Sequence, residues 1–317
     1  MYSNTVNFFA RALLALLIIV TSGCAPRTRS ISHLESESPR LFLSTAAHPR
    51  GVFLVVHGLN LKPSALDTIS SLLAKNGFHS YRMTLSGHYE SGRAAFDESV
   101  WVEDVRRAYL DIRHRFKHLP TFIAGYSLGG LLATHAVDSL PKGDYPNGMV
   151  LLAPALSLRS FPELASTLGL PPPLSLEIPN LAPRPYRRYP YTPLFWYSNT
   201  LTIYRQTQHL QHPHLLALTP TLIFLNPRDE LISPSGTRAW LEENGLASTW
   251  SVRYVRPAIT NPLLAEHLII DPDSVGIEEW LAMQAAIEEF LNRLTHSAAP
   301  TSAIPRSPHP PTLNERH

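Results

Sequence analysis

Between positions 51 and 294 the chain alternates two kinds of hydrophobic pattern. Short, nearly unbroken apolar runs of strand length fall at 51–56, 121–124, 149–153 and 221–225, and further strands are predicted at 79–85 and 250–255. Between them, apolar residues recur every three or four positions. Leu66, Ile69 and Leu73 share one face of a helix predicted over 63–76, which Asn76-Gly77 closes. Trp101, Val105, Ala108, Ile112 and Phe116 form a stripe over 98–117. A third helix is predicted over 128–137. A fourth, over 276–294, points Trp280, Met283, Ile287, Phe290 and Leu294 inward. A 3.6-residue period marks the helices, and continuous apolar runs mark strands covered on both faces. The alternation predicts an α/β fold with a mostly parallel central sheet flanked by helices.

One internal stretch breaks this rhythm. From about 156 to 217 there are ten prolines and no clean strand. A structureless loop of that length is uncommon inside a compact domain. The segment is also aromatic, with Tyr186, Tyr189, Tyr191 and the run Phe195-Trp196-Tyr197. It is expected to be a cap inserted between two sheet strands, with Phe195, Trp196 and Tyr197 either forming an apolar acyl-binding wall or only packing the cap against the sheet. The fold itself is expected over 48–297. A Pro-rich tail without apolar periodicity follows at 298–317, and Pro and Ser punctuate a tether expected over 24–47.

The N-terminus reads as an address. Arg11 is the only charged residue before a nine-residue apolar run at 12–20. Spanning a bilayer takes about 20 helical residues, so this run matches the hydrophobic region of a signal peptide instead. Thr21-Ser22-Gly23-Cys24 follows, and it resembles the lipobox of bacterial lipoproteins. That resemblance implies a signal over 1–23, lipidation of Cys24 and membrane attachment through it. Ala25 after the cysteine implies outer-membrane sorting within the bacterial envelope.

Composition narrows the chemistry. The 317 residues are 44% hydrophobic and 16% charged, enough to bury a large core. Lys and Arg number 27 against 25 acids, a balance that argues against nucleic acid as a partner. A single cysteine, Cys24, excludes an internal disulfide and any multi-cysteine metal site. There is no His-Glu-x-x-His pattern and no Gly-rich phosphate loop after a strand. His209, His212 and His214 cluster within the cap and are expected to lie on its polar surface rather than to bind a metal. Neither metal nor cofactor is expected.

The chemistry-bearing signal is Gly125-Tyr126-Ser127-Leu128-Gly129, between a predicted strand and a predicted helix. A turn that tight strains the serine backbone, pushes its hydroxyl outward and requires very small neighbours two positions either side. A serine hydroxyl needs a base, and the base an orienting carboxylate. In the order Ser, Asp, His, the candidates are Asp229, just after the strand at 221–225, and His267, between the last strand and the last helix. Glu230 competes with Asp229. A developing oxyanion needs two fixed donors, for which the N–H groups of Leu59 and Leu128 are candidates. The His57 side chain is expected to fix its loop.

These residues together strongly resemble the α/β-hydrolase superfamily, over about 48–294. The branch they are most similar to is that of capped lysophospholipases, monoacylglycerol lipases and serine aminopeptidases. Beyond the 125–129 elbow, His57-Gly58-Leu59 is similar to the oxyanion segment, and Leu85-Ser-Gly-His88 to a Gly-His-Gly-like loop. Trp101 and Asp104 match a Trp-x-x-Asp spacing, and Asp229-Glu-Leu-Ile232 an Asp-x-x-Val acid loop, which favours Asp229 over Glu230. Tyr89, in place of a small residue, and Leu59-Asn60, without an extra glycine, depart from the pattern. The resemblance implies Ser127 as nucleophile, His267 as base, Asp229 as orienter, and Leu59 and Leu128 as oxyanion donors. It implies a serine hydrolase acting on small-molecule or lipid esters such as a lysophospholipid or monoglyceride. The alternatives are an aminopeptidase-like peptidase and a non-catalytic envelope binding protein on the same fold.

Overall fold

The computed structural model describes residues 37–89, 95–141, 143–159, 177–180, 182–257 and 266–296. The expected signal, Cys24 and the expected tail lie outside the described residues, as do 160–176 of the expected cap.

Among the described residues the central sheet has seven strands: β1 (Arg40–Phe42), β2 (Gly51–Val56), β3 (Phe78–Arg82), β4 (Thr121–Tyr126), β5 (Gly148–Leu152), β8 (Thr221–Leu225) and β9 (Trp250–Tyr254). Their order is β1-β3-β2-β4-β5-β8-β9. Only β1 runs antiparallel, against β3; every other pairing is parallel. All residues of β2, β4, β5 and β8 are buried, as their unbroken apolar runs require. The edge strand β9 buries only Trp250 fully, which is why its sequence, Trp-Ser-Val-Arg-Tyr, tolerates polar residues.

The flanking helices are α1 (Asp67–Lys75), entered through a 3-10 turn at Pro63–Leu66, α2 (Glu98–Arg115), α3 (Leu128–Asp138), α6 (Pro234–Glu243), the short α7 (Pro272–Val275) and α8 (Ile277–His296). Their ends follow local chemistry. The Asp97 side chain caps α2 by accepting from Ser99 N at 2.9 Å, and Arg113, His114 and Arg115 sit where the helix dipole favours cations. Trp101, Val105, Tyr109 and Ile112 form the buried stripe of α2. Each such side chain, removed from water, contributes roughly 1.5–3 kcal/mol.

Between β5 and β8 lie a hairpin of β6 (Glu177–Pro179) and β7 (Tyr191–Pro193), then α4 (Leu194–Thr207) and the single turn α5 (Pro213–Leu216). The expectation of no strand there is corrected by this hairpin, whose three-residue strands are too short and proline-bound to register as alternation. Of the two readings of the aromatics, packing is the one that Phe195 and Trp196 follow. Trp196 is completely buried and stacks on His88 with ring centroids 4.4 Å apart, while Phe195 meets Phe96 edge-on at 5.4 Å. These rings fasten the cap to the body.

The expected tether over 24–47 is also corrected. The described fold begins at Glu37, whose buried carboxylate accepts from Ser64 N at 3.0 Å and Ser64 Oγ at 2.9 Å. Residues 40–42 then close the sheet edge as β1.

Candidate active site

The site stands at the carboxyl ends of β2, β4 and β8, where parallel sheets leave room for side chains from several loops. Ser127 joins β4 to α3 with φ 52° and ψ −117°, outside the range comfortable for a residue with a Cβ. Its backbone is held there from both sides. Ser127 N donates to Leu152 O at 2.9 Å, and Ser127 O accepts from the N–H groups of Gly130, Leu131 and Ala155 at 3.0–3.1 Å. The space around the turn explains its glycines. A Cβ at Gly125 would lie 2.7 Å from Gly129 O, and one at Gly129 would overlap Val56 O. Unlike the serine at the start of α6, Ser127 does not cap its helix, because its hydroxyl is turned to a histidine instead.

That histidine is His267. Its Nε2 lies 2.8 Å from Ser127 Oγ, and its Nδ1 lies 2.8 Å from Asp229 Oδ2. A carboxylate only accepts, so the imidazole proton belongs on Nδ1 and the Nε2 lone pair faces the serine O–H. Asp229 is itself fixed, its Oδ1 accepting from Leu231 N and Ile232 N at 2.8 Å each. Both Asp229 and His267 are buried, which strengthens these contacts relative to water. Glu230 points elsewhere, its Oε1 accepting from Glu266 N at 3.1 Å.

The His57-Gly58-Leu59 loop ends β2 alongside the serine; a Cβ on Gly58 would come within 3.2 Å of Ser127 Cβ. His57 orients it. Its Nε2 accepts from Leu85 N at 3.0 Å, so Nδ1 carries the proton and donates to Gly58 O at 2.9 Å. That carbonyl and the Leu59 N–H belong to one planar trans peptide, so holding one aims the other. Burial pushes the His57 pKa down from 6.5 to about 4, which keeps the ring neutral as this pair of bonds requires. Leu128 is the first residue of α3, where a helix has no partner of its own for the N–H. Among the described residues no hydrogen bond engages the N–H of Leu59 or of Leu128.

Trp101 and Asp104 act as a pair on the loop after β3. Trp101 Nε1 donates to Ser86 O at 3.0 Å, and Asp104 Oδ2 accepts from Ser86 N at 2.8 Å. His88 follows on that loop and is buried against Trp196 and His57.

Several supporting residues escape sequence reasoning, Tyr126 because it fills a position the elbow pattern leaves free and Asn226 and Arg159 because no motif contains them. Tyr126 O–H donates to His267 O at 3.2 Å. Asn226 Nδ2 donates to Glu266 O at 2.6 Å, tying the acid loop to the histidine loop. Arg159 Nε donates to Asp229 O at 2.7 Å. Asn226 alone left a trace, as a polar residue directly after a buried strand.

The sheet order, the elbow and the inserted cap define an α/β-hydrolase fold. The family described as "Serine aminopeptidase, S33" matches residues 47–254, well over half of the sequence. The chain belongs to that family. It is 25% identical to the monoglyceride lipase of Rattus norvegicus over 123 residues, which is 38% of this chain and 39% of the relative. The match thus spans well under half of the curated protein's length. Among solved structures, a soluble variant of the monoglyceride lipase of Saccharomyces cerevisiae bound to a substrate analogue superposes with TM-score 0.63 at 13% identity, covering 81% of this chain and 90% of that one. A structure from the study of LipS and LipT, two metagenome-derived lipolytic enzymes, gives TM-score 0.62 at 20% identity, covering 81% and 98%.

Proposed function

We propose that this protein is a serine hydrolase that cleaves carboxylic esters through an acyl-enzyme. The observation that carries the reading is the unbroken hydrogen-bonded line from Ser127 Oγ through His267 to Asp229. In the proposed reaction, His267 Nε2 takes the hydroxyl proton as Ser127 Oγ attacks the carbonyl carbon. Leu59 N–H and Leu128 N–H receive the oxyanion. Collapse expels the alcohol, which takes the proton from Nε2 and leaves an acyl-serine. Water then attacks the acyl carbon while Nε2 removes its proton, and the acid departs as that proton returns to Ser127 Oγ. Asp229 keeps the ring in the productive tautomer and steadies its cationic form.

The substrate class we favour is a lipid-type ester, a monoglyceride or lysophospholipid. Similarity to monoglyceride lipases supports it. The family description supports a second reading, a peptidase acting at a free amino terminus. A substrate ammonium would call for carboxylates in the cap. Among the described cap residues Glu177 is the one acid and it is exposed, whereas Arg184, Arg187, Arg188 and Arg205 make the cap cationic. We therefore place esters first. Anchoring to the bacterial outer membrane through a lipidated Cys24 belongs to the same reading and rests on the Thr21–Cys24 pattern. Intact mass of the mature protein from membranes tests it: a diacylated and acylated Cys24 is expected, and an unmodified one contradicts it.

A panel of p-nitrophenyl esters, monoacylglycerols, lysophospholipids and aminoacyl anilides tests the activity. Ester turnover that disappears in Ser127→Ala is the expected result. Preference for the anilides would establish the peptidase, and no turnover of any substrate would leave the non-catalytic binding protein.

A further inference from the structure

Asn60 follows the Leu59 oxyanion candidate and is one of three non-glycine residues with positive φ among the described residues, at 48°. It is buried at 2% exposure, and both its backbone and its side chain are engaged. Its N–H donates to His88 Nε2 at 3.0 Å. Its carbonyl accepts from Arg188 N at 2.9 Å and Asn180 Nδ2 at 3.2 Å. Its side-chain Oδ1 accepts from Tyr189 N at 2.8 Å, and its Nδ2 donates to Thr192 Oγ1 at 2.6 Å and Tyr189 O at 3.2 Å. Every one of these partners except His88 belongs to the cap, and His88 is itself stacked on cap residue Trp196.

The two peptides bordering Leu59 are thus pinned by different bodies. The Gly58–Leu59 peptide is held by His57, from the sheet. The Leu59–Asn60 peptide is held by His88, and the Asn60 side chain by cap residues Tyr189 and Thr192. Leaving the left-handed conformation at Asn60 would break bonds to residues 188–192, and lifting those residues would free Asn60 to relax. An asparagine suits the position because it tolerates positive φ and can donate and accept at once.

We propose that Asn60 is a positioning residue that couples seating of the cap to the aim of the Leu59 N–H, so that the oxyanion hole is complete only while residues 188–192 are docked. The inference rests on the reading of Leu59 as an oxyanion donor. It predicts a cost in the rate of the chemical step rather than in substrate binding, since a misaimed donor fails the transition state most.

The test uses Asn60→Gly, which keeps positive φ without strain and removes only the side-chain ties. Thr192→Val removes one tie while keeping the side-chain shape. Asn60→Gly is expected to lower kcat for a p-nitrophenyl ester by about 10- to 100-fold, with KM changed by less than about threefold. A boronic acid that adds to the serine as a tetrahedral adduct should bind more weakly by a similar factor. Thr192→Val should lose less, and the double variant should be no worse than Asn60→Gly alone, because both act through one link. Amide hydrogen exchange supplies a readout independent of turnover: both variants should speed exchange across 58–62 and 188–192 together. A raised KM with kcat unchanged, multiplying losses in the double variant, or unaltered exchange in Thr192→Val would overturn the proposal. Should the wild-type chain lack turnover while exchange loosens as expected, the oxyanion role falls with the hydrolase reading and only the mechanical link survives.

Discussion

Ser127 Oγ and His267 Nε2 lie 2.8 Å apart although 140 positions separate them in the chain. The two segments that carry them are each fixed by several hydrogen bonds. The serine sits on a turn whose strained backbone is bonded to Leu152, Gly130, Leu131 and Ala155. The histidine is held through Tyr126 O–H on its carbonyl and Asp229 on its ring. Because Tyr126 directly precedes Ser127, the strand that carries the serine also holds the histidine loop, and the contact is preorganised before any substrate arrives.

The Asp229 carboxylate should matter through the tautomer it imposes. In Asp229→Asn, Oδ1 can still accept from Leu231 and Ile232, but the amide would present N–H groups to His267 Nδ1. The ring would then carry its proton on Nε2 and could not accept from the serine. Ester turnover is expected to fall by about 10⁴-fold with little loss of stability. Steady-state kinetics beside thermal unfolding check this; a loss under tenfold would remove Asp229 from the relay.

Ser127 keeps φ at 52° at an energetic cost that a glycine would not bear. Ser127→Gly is therefore expected to be inactive and more stable than wild type by about 1 kcal/mol, the strain relieved being partly offset by a looser unfolded chain. Urea unfolding measures the difference. A destabilised Ser127→Gly would mean that the hydroxyl's bond to His267 outweighs the backbone strain.

Buried histidines give the fold an acid-side dependence. Burial lowers the His57 pKa from 6.5 to about 4, and burial together with the His57 ring holds His88 well below its ordinary value. Between pH 6.5 and pH 4 the unfolded chain binds protons that the folded chain refuses, so stability falls as pH drops through that window. Above pH 6.5 both states are neutral at these rings and the effect vanishes. His57 alone is expected to remove about 3 kcal/mol across the window, at roughly 1.4 kcal/mol per pH unit. Unfolding midpoints measured from pH 7.5 to 4.5 should slope down in wild type and less steeply in His57→Gln, where His88 alone of the pair remains. Equal slopes would place the dependence elsewhere.

The parts of this molecule that the chain spells out are those with a single dominant cause. The buried strands β2, β4, β5 and β8 are continuous apolar runs because both faces are covered, and they were readable for that reason. That Ser127, Asp229 and His267 meet is legible in the chain because the elbow demands glycines and its candidate partners follow strands. Strand β1 leaves no pattern in the chain because Arg-Leu-Phe is too short and too exposed to show alternation. Helix α4 was missed because its face is aromatic and β-branched and it opens after Pro193. Its buried side, with Phe195, Trp196 and Ile203, takes shape only in the tertiary fold, against α2, α3, Phe96 and His88. The Asn60 node left no trace either, since most of its bonds run to backbone atoms more than a hundred positions away.

The most direct test of the central claim is covalent labelling with a fluorophosphonate, followed by intact mass and peptide mapping. One adduct per chain on Ser127 is predicted, formed rapidly in wild type and absent from Ser127→Ala. A wild-type protein that stays folded yet takes no adduct at Ser127, or takes it at another residue, would contradict the account.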